Sequence, residues 1–347
     1  MSKISVLVVD DSSLARMVII EHLTQDENIE IVGVARNGKE AIDKVKKLKP
    51  SIVTMDINMP VMGGLETIEQ IMAYTPVPVL VVTSRADADT AYAAISKGAL
   101  EVIQKPDVDM DNSEEFIRKV RILSGVKVIS HLRGRHVNDP GRNRKKIVRT
   151  DLQIKTEALQ KAVVIAASTG GPKTLARILS EIPENFPMPV FVAQHIPPDF
   201  VTGLAEWLNS VSKMRVKPGE DGERIYPGTV YISPADKNMV ITNKNRIKLT
   251  GQDPECIYSP SCDLLLSSAG QIFKEQCLGI ILTGMGRDGV EGIREIRENG
   301  GTTLAQDEDS SIVFGMPKVA VENGVIDKIM TPDGMVDEIL GFGRARE

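Results

Sequence analysis

Cysteine and histidine are scarce in this chain. Three cysteines occur in 347 residues, Cys256, Cys262 and Cys277, and no two form a CxxC pair. That spacing excludes a disulfide framework and a zinc knuckle, and the three read as small buried or neutral side chains. Histidines number four, His22, His131, His136 and His195. No apolar run approaches the roughly 18 to 20 residues that cross a bilayer. The N-terminal run Ile4–Val9 closes on Asp10 and Asp11 and is too short for a signal-peptide core. A formal net charge of -5 gives no global attraction for nucleic acid or acidic lipid. These absences point to a cytosolic, cytoplasmic protein.

What is present is size and regular alternation. The length suggests two domains, and with 42% hydrophobic and 26% charged residues each can bury a core. Residues 1–125 alternate apolar runs with helical patterns. Ile4–Val9, Ile29–Val34, Ile52–Met55, Val77–Val82 and Leu100–Ile103 read as strands; segments near 13–25, 38–48, 64–73, 87–97 and 113–125 read as helices. This is the pattern of an α/β (βα)5 unit with a doubly wound parallel sheet, whose binding groups collect at the carboxyl ends of its strands. Asp10 and Asp11 follow the first strand, Asp56 the third, Thr83 the fourth and Lys105 the fifth. Converging carboxylates repel one another unless a hard divalent cation sits among them, and an oxygen-only donor set suits Mg2+. An aspartate beside such a cation can attack a phosphoryl group, with Lys105 as counter-charge and Thr83 as hydroxyl donor. Helix capping by single acids is the plainer alternative, and it does not explain five polar groups at four strand ends.

Residues 126–158 change in texture. Arg133, Arg135, Arg142, Arg144, Lys145, Lys146 and Arg149 surround the turn Asn138-Asp139-Pro140-Gly141 with little apolar content, which reads as a basic flexible linker. The segment has no aromatic residue for base stacking, and no recognition-helix pattern follows it, so no nucleic-acid partner is expected.

Residues 159–347 resume the strand and helix pattern. Ala162–Ala167 and Val190–Gln194 read as strands, each followed by a helix, near 172–182 and 199–209. A middle section, Gly228–Ile232, Met239–Ile241 and Ile247–Thr250, reads as short antiparallel strands. Helix Asp263–Phe273 then precedes strand Leu278–Leu282. Three of these strands run into polar loops carrying Ser168, His195 and Asp288, and in a parallel sheet those ends share one edge. A serine hydroxyl needs a base, a neutral imidazole supplies one near pH 7, and a carboxylate orients the imidazole and stabilises its charged form. The backbone amides of Thr169 and Met285 are oxyanion-hole candidates. Singly, Asp288 could cap the helix starting near Gly289 and His195 could be an ordinary strand end. Gly170-Gly171-Pro172-Lys173-Thr174 is not a phosphate-binding P-loop, because Pro172 separates Gly171 from Lys173 and the earlier glycine is missing. Ala166-Ala167-Ser168-Thr169-Gly170 lacks the first glycine of a hydrolase elbow, and the order Ser, His, Asp differs from that fold.

Two resemblances complete this reading. The set Asp10-Asp11, Met55-Asp56-Ile57-Asn58-Met59-Pro60, Gly63-Gly64, Thr83-Ser84 and Lys105-Pro106 resembles a two-component receiver domain. It implies that Asp56 is the phosphoacceptor and that Asp11, Asp56 and the Asn58 carbonyl hold Mg2+. Val102 stands where many receivers carry an aromatic switch residue. Ala167-Ser168-Thr169-Gly170-Gly171-Pro172, Gln194-His195-Ile196-Pro197-Pro198, Leu282-Thr283-Gly284-Met285-Gly286-Arg287-Asp288-Gly289 and Ala305-Gln306-Asp307-Glu308 with Phe314-Gly315-Met316-Pro317 are similar to the CheB family of chemotaxis protein-glutamate methylesterases. That resemblance implies an α/β methylesterase domain with a mostly parallel sheet and a small antiparallel section, and Ser168, His195 and Asp288 as its triad. It further implies hydrolysis of glutamate methyl esters and deamidation of glutamines on methyl-accepting chemoreceptors, with no cofactor for the esterase reaction. A chemotaxis-type histidine kinase would act as phosphodonor, the unphosphorylated receiver would cover the esterase site, and the protein would approach a membrane only through its receptors. Two rivals carry weight at this level: a receiver-controlled DNA-binding regulator and a non-catalytic adaptor.

Overall fold

The computed structural model describes residues 3–84, 91–106, 113–128, 159–251, 258 and 260–344. The basic segment, apart from residues 126–128, and the first part of the helix expected at 87–97 lie outside the described residues. By Cα proximity the chain divides into two compact units, Met1–Leu132 with Pro197–Trp207, and Arg133–Ile196 with Leu208–Glu347.

The first sheet contains β1 (Ile4–Val9), β2 (Ile29–Ala35), β3 (Ile52–Met55), β4 (Val79–Thr83) and β5 (Glu101–Gln104), in the order β2-β1-β3-β4-β5 with every neighbouring pair parallel. Helices Ser13–Thr24, Gly38–Leu48, Gly64–Tyr74, Ala93–Ser96 and Ser113–Ser124 connect or follow the strands. All four residues of β3 are buried, as expected of a strand covered on both faces. The order reverses between β1 and β3, so their carboxyl ends open a crevice at the switch point. Asp10 and Asp56 lie there.

The second sheet is seven-stranded. Its strands are β6 (Ala162–Ala167), β7 (Val190–Gln194), β8 (Arg215–Pro218), β9 (Thr229–Ile232), β12 (Cys277–Ile281), β13 (Thr302–Gln306) and β14 (Lys328–Met330); β10 (Asn238–Thr242) and β11 (Arg246–Thr250) form a separate antiparallel pair. The order β14-β13-β12-β6-β7-β9-β8 is parallel throughout. This corrects one expectation: Thr229–Ile232 is a parallel strand of the main sheet. The intervening β8 and the connection before it return the chain to the same edge, so β9 enters in the direction of β7.

β6 is buried at all six positions and is flanked by β7 and β12. The chain builds outward from β6 in one direction and later in the other, which makes its carboxyl end the second switch point. Over this sheet, helix Cys262–Phe273 turns Cys262, Leu265, Leu266, Ala269, Gly270 and Phe273 inward, the spacing of a helical stripe. Helix Val290–Glu298 meets it with Val290, Ile293 and Ile296. Two glycines allow the close approach: a Cβ on Gly270 would lie 3.0 Å from Ile296 Cα, and one on Gly292 would lie 2.5 Å from the Asp263 carbonyl oxygen. Gly292→Ala should therefore force these helices apart and cost about 1–3 kcal/mol. Urea unfolding of the variant beside the parent checks this.

Candidate active site

The adjacent carboxyl ends of β12, β6 and β7 bring the predicted residues to one edge of the second sheet. Ser168 directly follows β6. Its amide donates to Thr283 O at 3.1 Å, and its carbonyl accepts from Gly171 N and from Gln194 Nε2, both at 2.8 Å. Gln194 Nε2 also donates to His195 O at 2.9 Å, and His195 N donates to Ala167 O at 3.0 Å, so the serine and histidine segments are tied together. Ser168 and Thr169 are both buried, at 8% and 1% exposure.

Asp288 lies beyond β12 in a glycine-rich loop where Gly286 and Gly289 take φ of 89° and 97°, values that favour glycine. Its carboxylate does not cap its own helix. Oδ2 accepts from His195 Nε2 at 2.7 Å and from Cys262 N at 2.7 Å, and Oδ1 accepts from Asp263 N at 3.0 Å. Asp288 thus holds the imidazole while satisfying two amides at the start of helix Cys262–Phe273. Burial acts to raise its pKa, but the bond and charge of His195 and the two amides hold it below the usual value. A carboxylate accepting at Nε2 fixes the ring proton there, leaving Nδ1 as the basic nitrogen. The Ser168 hydroxyl makes no hydrogen bond to a described residue.

Several partners here escaped the sequence reading. Tyr258 stacks flat on His195, with centroids 5.1 Å apart and planes within 3°. Cys262 Sγ lies 3.4 Å from His195 Nε2. Gln194 and Gln306 are buried at strand ends, and Gln306 Oε1 accepts from Thr283 N at 2.9 Å. A buried amide side chain closing an apolar strand was the available signal for both glutamines. Nothing local marks Tyr258 or Cys262. Gly284 is required by close approach, since a Cβ there would meet Ser168 Cβ at 2.6 Å and Met316 Sδ at 2.4 Å. The amides of Thr169 and Met285 make no backbone hydrogen bond among the described residues, leaving both available as donors.

In the first unit, Asp10, Asp11 and Asp56 each present a carboxylate oxygen, all within 4.8 Å of one another. Lys105 Nζ lies 2.7 Å from Asp10 Oδ2 and 3.0 Å from Asp56 Oδ2. Burial raises the Asp56 pKa first; Lys105 opposes this and Asp10 adds to it. The excess negative charge and all-oxygen donors fit a hard divalent cation. Asp11 and Asn58 are exposed at the mouth, while Thr83 Oγ1 is buried without a partner. A Cβ on Gly64 would lie 2.1 Å from the Asp56 carbonyl oxygen, so helix Gly64–Tyr74 starts hard against Asp56. Val102 is buried in β5 opposite Val81, with no hydroxyl to switch.

An acidic pocket with a lysine at one switch point, and a histidine–carboxylate pair beside a serine at another, define a receiver joined to an α/β effector of hydrolase type. The receiver family profile matches residues 6–117 and the CheB methylesterase profile residues 163–339. A protein-glutamate methylesterase/protein-glutamine glutaminase of Paramagnetospirillum magneticum is 43% identical over 94% of this chain and 93% of its own length. One of Archaeoglobus fulgidus is 39% identical over 97% of both. The crystal structure of the Thermotoga maritima CheB methylesterase catalytic domain is similar, with a TM-score of 0.51 and 39% identity over 52% of this chain and 97% of that domain. The chain belongs to the CheB family of chemotaxis response-regulator methylesterases.

Asp288→Asn should lower hydrolysis by about 10²- to 10⁴-fold. Either amide orientation loses an acceptor: nitrogen at the Oδ2 position cannot accept from His195 Nε2 and Cys262 N, and nitrogen at the Oδ1 position faces the Asp263 amide, so the tautomer that leaves Nδ1 basic loses its support. Steady-state rates, with imidazole tautomers read by nitrogen NMR, check both parts.

Proposed function

We propose that Ser168, His195 and Asp288 carry out the methylesterase and glutaminase reactions of this chain, and that Asp56 is the phosphoacceptor linking them to chemotaxis adaptation. The observation that carries this is the 2.7 Å bond between His195 Nε2 and Asp288, at the strand end adjoining that of Ser168. His195 Nδ1 takes the proton of Ser168 Oγ as the oxygen attacks the ester carbonyl carbon of a methylated glutamate. The C=O electron pair moves to oxygen, and that oxyanion is met by the amides of Thr169 and Met285. Collapse breaks the bond to the methoxy oxygen, which leaves as methanol with the proton from the imidazolium. Water, deprotonated by the same nitrogen, then attacks the acyl-serine and releases the glutamate carboxylate and the serine hydroxyl. With glutamine the leaving group is ammonia. Asp288 remains ionised throughout and stabilises the transient imidazolium.

At the receiver, Asp11, Asp56 and the Asn58 carbonyl would hold Mg2+, with Asp10 beside it, and the cation would supply charge neutralisation for an incoming phosphoryl group. Asp56 is the attacking carboxylate, Lys105 pairs with the added charge, and Thr83 offers its hydroxyl. A chemotaxis-type histidine kinase is the phosphodonor. Methyl-accepting chemoreceptors present the esters on cytoplasmic helices, which places this chain in the cytoplasm. No helix among the described residues is long and apolar enough to cross a membrane.

Ser168→Ala should reduce methanol release from methylated receptor by about 10³-fold or more while Asp56 still accepts phosphate. Methanol release equal to the parent would refute the assigned nucleophile. Asp56→Asn should leave basal release measurable but abolish its stimulation by a small-molecule phosphodonor with Mg2+. Stimulation that survives in this variant would remove Asp56 from the scheme.

A further inference from the structure

The mechanism uses the side chains of His195 and Asp288 but gives the thiol of Cys262 no task. Cys262 opens helix Cys262–Phe273 and is fully buried. Its Sγ lies 3.4 Å from His195 Nε2, and Asp288 Oδ2 lies 2.7 Å from the same nitrogen. A nitrogen, a sulfur and a carboxylate oxygen thus converge, all within 4.8 Å of one another. Each is a ligand type that zinc accepts, and a set containing sulfur and imidazole selects a thiophilic cation over Mg2+ or Ca2+. The absence of a CxxC pair, which rules out a zinc knuckle, does not bear on this set, because Cys262 stands 67 residues from His195 and 26 from Asp288. We infer that His195, Cys262 and Asp288 form a site for a thiophilic divalent cation of the zinc class, and that binding there switches the hydrolase off.

The geometry needs little change. Zinc bonds of about 2.0–2.3 Å set tetrahedral ligand atoms roughly 3.3–3.8 Å apart. The nitrogen–sulfur separation already falls in that range. The nitrogen–oxygen contact is a hydrogen bond, and it lengthens when the metal takes the place of its proton. The Cys262 sulfur also lies 3.7 Å from the Ala193 carbonyl oxygen, a further hard donor beside the cluster.

The consequence for catalysis follows from the imidazole. Without metal, Nε2 carries the ring proton and Nδ1 the lone pair. A cation bound at Nε2 obliges the neutral ring to hold its proton at Nδ1, the atom that must accept from Ser168. The thiol gives up its proton to solvent. One M2+, neutral imidazole, thiol and carboxylate become a neutral M(imidazole)(thiolate)(carboxylate) cluster and one released proton, with no redox change. Burial first, and then the charge of Asp288, raise the Cys262 thiol pKa well above its usual value. Cys262 stands at the first position of its helix, where the backbone amides favour a thiolate once it is formed.

The inhibitory half of this inference rests on His195 as the base; the cation site does not. The test uses the full chain in excess Mg2+, which saturates the oxygen donors of the receiver, with Zn2+ as the probe. Zn2+ should slow methanol release about tenfold or more, and a zinc-selective chelator should restore it. Cys262→Val should raise the Zn2+ concentration for half-inhibition by about 10- to 100-fold or more. Rates are read as the ratio with and without Zn2+, so any change in basal rate cancels. Independently of activity, Co2+ added to Ser168→Ala should give a thiolate-to-cobalt charge-transfer band that Ser168→Ala/Cys262→Val lacks. Undiminished Zn2+ sensitivity of Cys262→Val, or no band, overturns the site. A band with undiminished hydrolysis overturns the switch. Failure of the assigned nucleophile would appear separately, as zinc-free methanol release by Ser168→Ala, and leaves the band unaffected.

Discussion

The carboxylate of Asp288 closes three structural accounts at once. It accepts the first two amides of helix Cys262–Phe273, it accepts the imidazole proton of His195, and it anchors the loop that leaves β12. A buried carboxylate left with any of these bonds unmade would be costly, because its desolvation is offset only by the full set. The arrangement therefore makes helix position and imidazole tautomer interdependent. Moving the helix start shifts the acceptor geometry, and the imidazole follows. Gly270 and Gly292 set how closely the two helices meet, so two residues far from the chemistry act on its alignment.

The two units place their polar groups at the same kind of location but balance charge in opposite ways. In the first, buried Asp10 and Asp56 share one lysine, and Asp11 adds a further carboxylate at the mouth. The site is short of positive charge, a deficit that a bound divalent cation would offset. In the second, the Asp288 carboxylate is met by hydrogen bonds from an imidazole and two amides, and the pKa of its neighbour Asp263 is raised to about 6 by burial first and then by the charge of Asp288. That site meets its charge with hydrogen-bond donors and, among the described residues, holds no lysine or arginine of the kind Lys105 supplies to the first. Oxygen donors alone at one end, and nitrogen, sulfur and oxygen together at the other, also sort hard from thiophilic cations between the two.

Much of this was legible because chemistry and sequence signal coincide at strand ends. Ser168, His195, Asp10 and Asp56 each close a run of apolar residues, and a buried parallel strand is the simplest segment to recognise in a chain. Bounds agree residue for residue at Ile4–Val9, Ile52–Met55, Ala162–Ala167 and Val190–Gln194. Strands Arg215–Pro218, Thr302–Gln306 and Lys328–Met330 were not legible, being short or polar and held by partners distant in sequence. The direction of Thr229–Ile232 was misread for the same reason: sheet pairing is non-local, and nearby short strands suggested a hairpin. Cys262 reads in the sequence only as a small buried or neutral side chain just before helix Asp263–Phe273. Its place beside His195 depends on how that helix packs on β6 and β7, which local periodicity does not encode.

The loop between β12 and helix Val290–Glu298 shows why these non-local constraints still leave a local trace. It must pass the Ser168 backbone, turn under Tyr258 and deliver Asp288 to a helix from another part of the chain, all within eight residues. Each demand consumes a glycine. Gly284 admits the Ser168 and Met316 side chains, Gly286 takes a positive φ where a Cβ would strike Tyr258 Oη at 2.7 Å, and Gly289 takes a positive φ immediately before its helix. The Thr283 hydroxyl lies between the Thr169 and Val313 carbonyls while accepting from Val313 N, which fixes the loop's origin against the serine segment. A glycine-rich run after a buried strand is thus the sequence imprint of crowding by three other segments. Its regularity reflects steric necessity at Gly284 and backbone conformation at Gly286 and Gly289, two distinct physical causes that look alike in the letters.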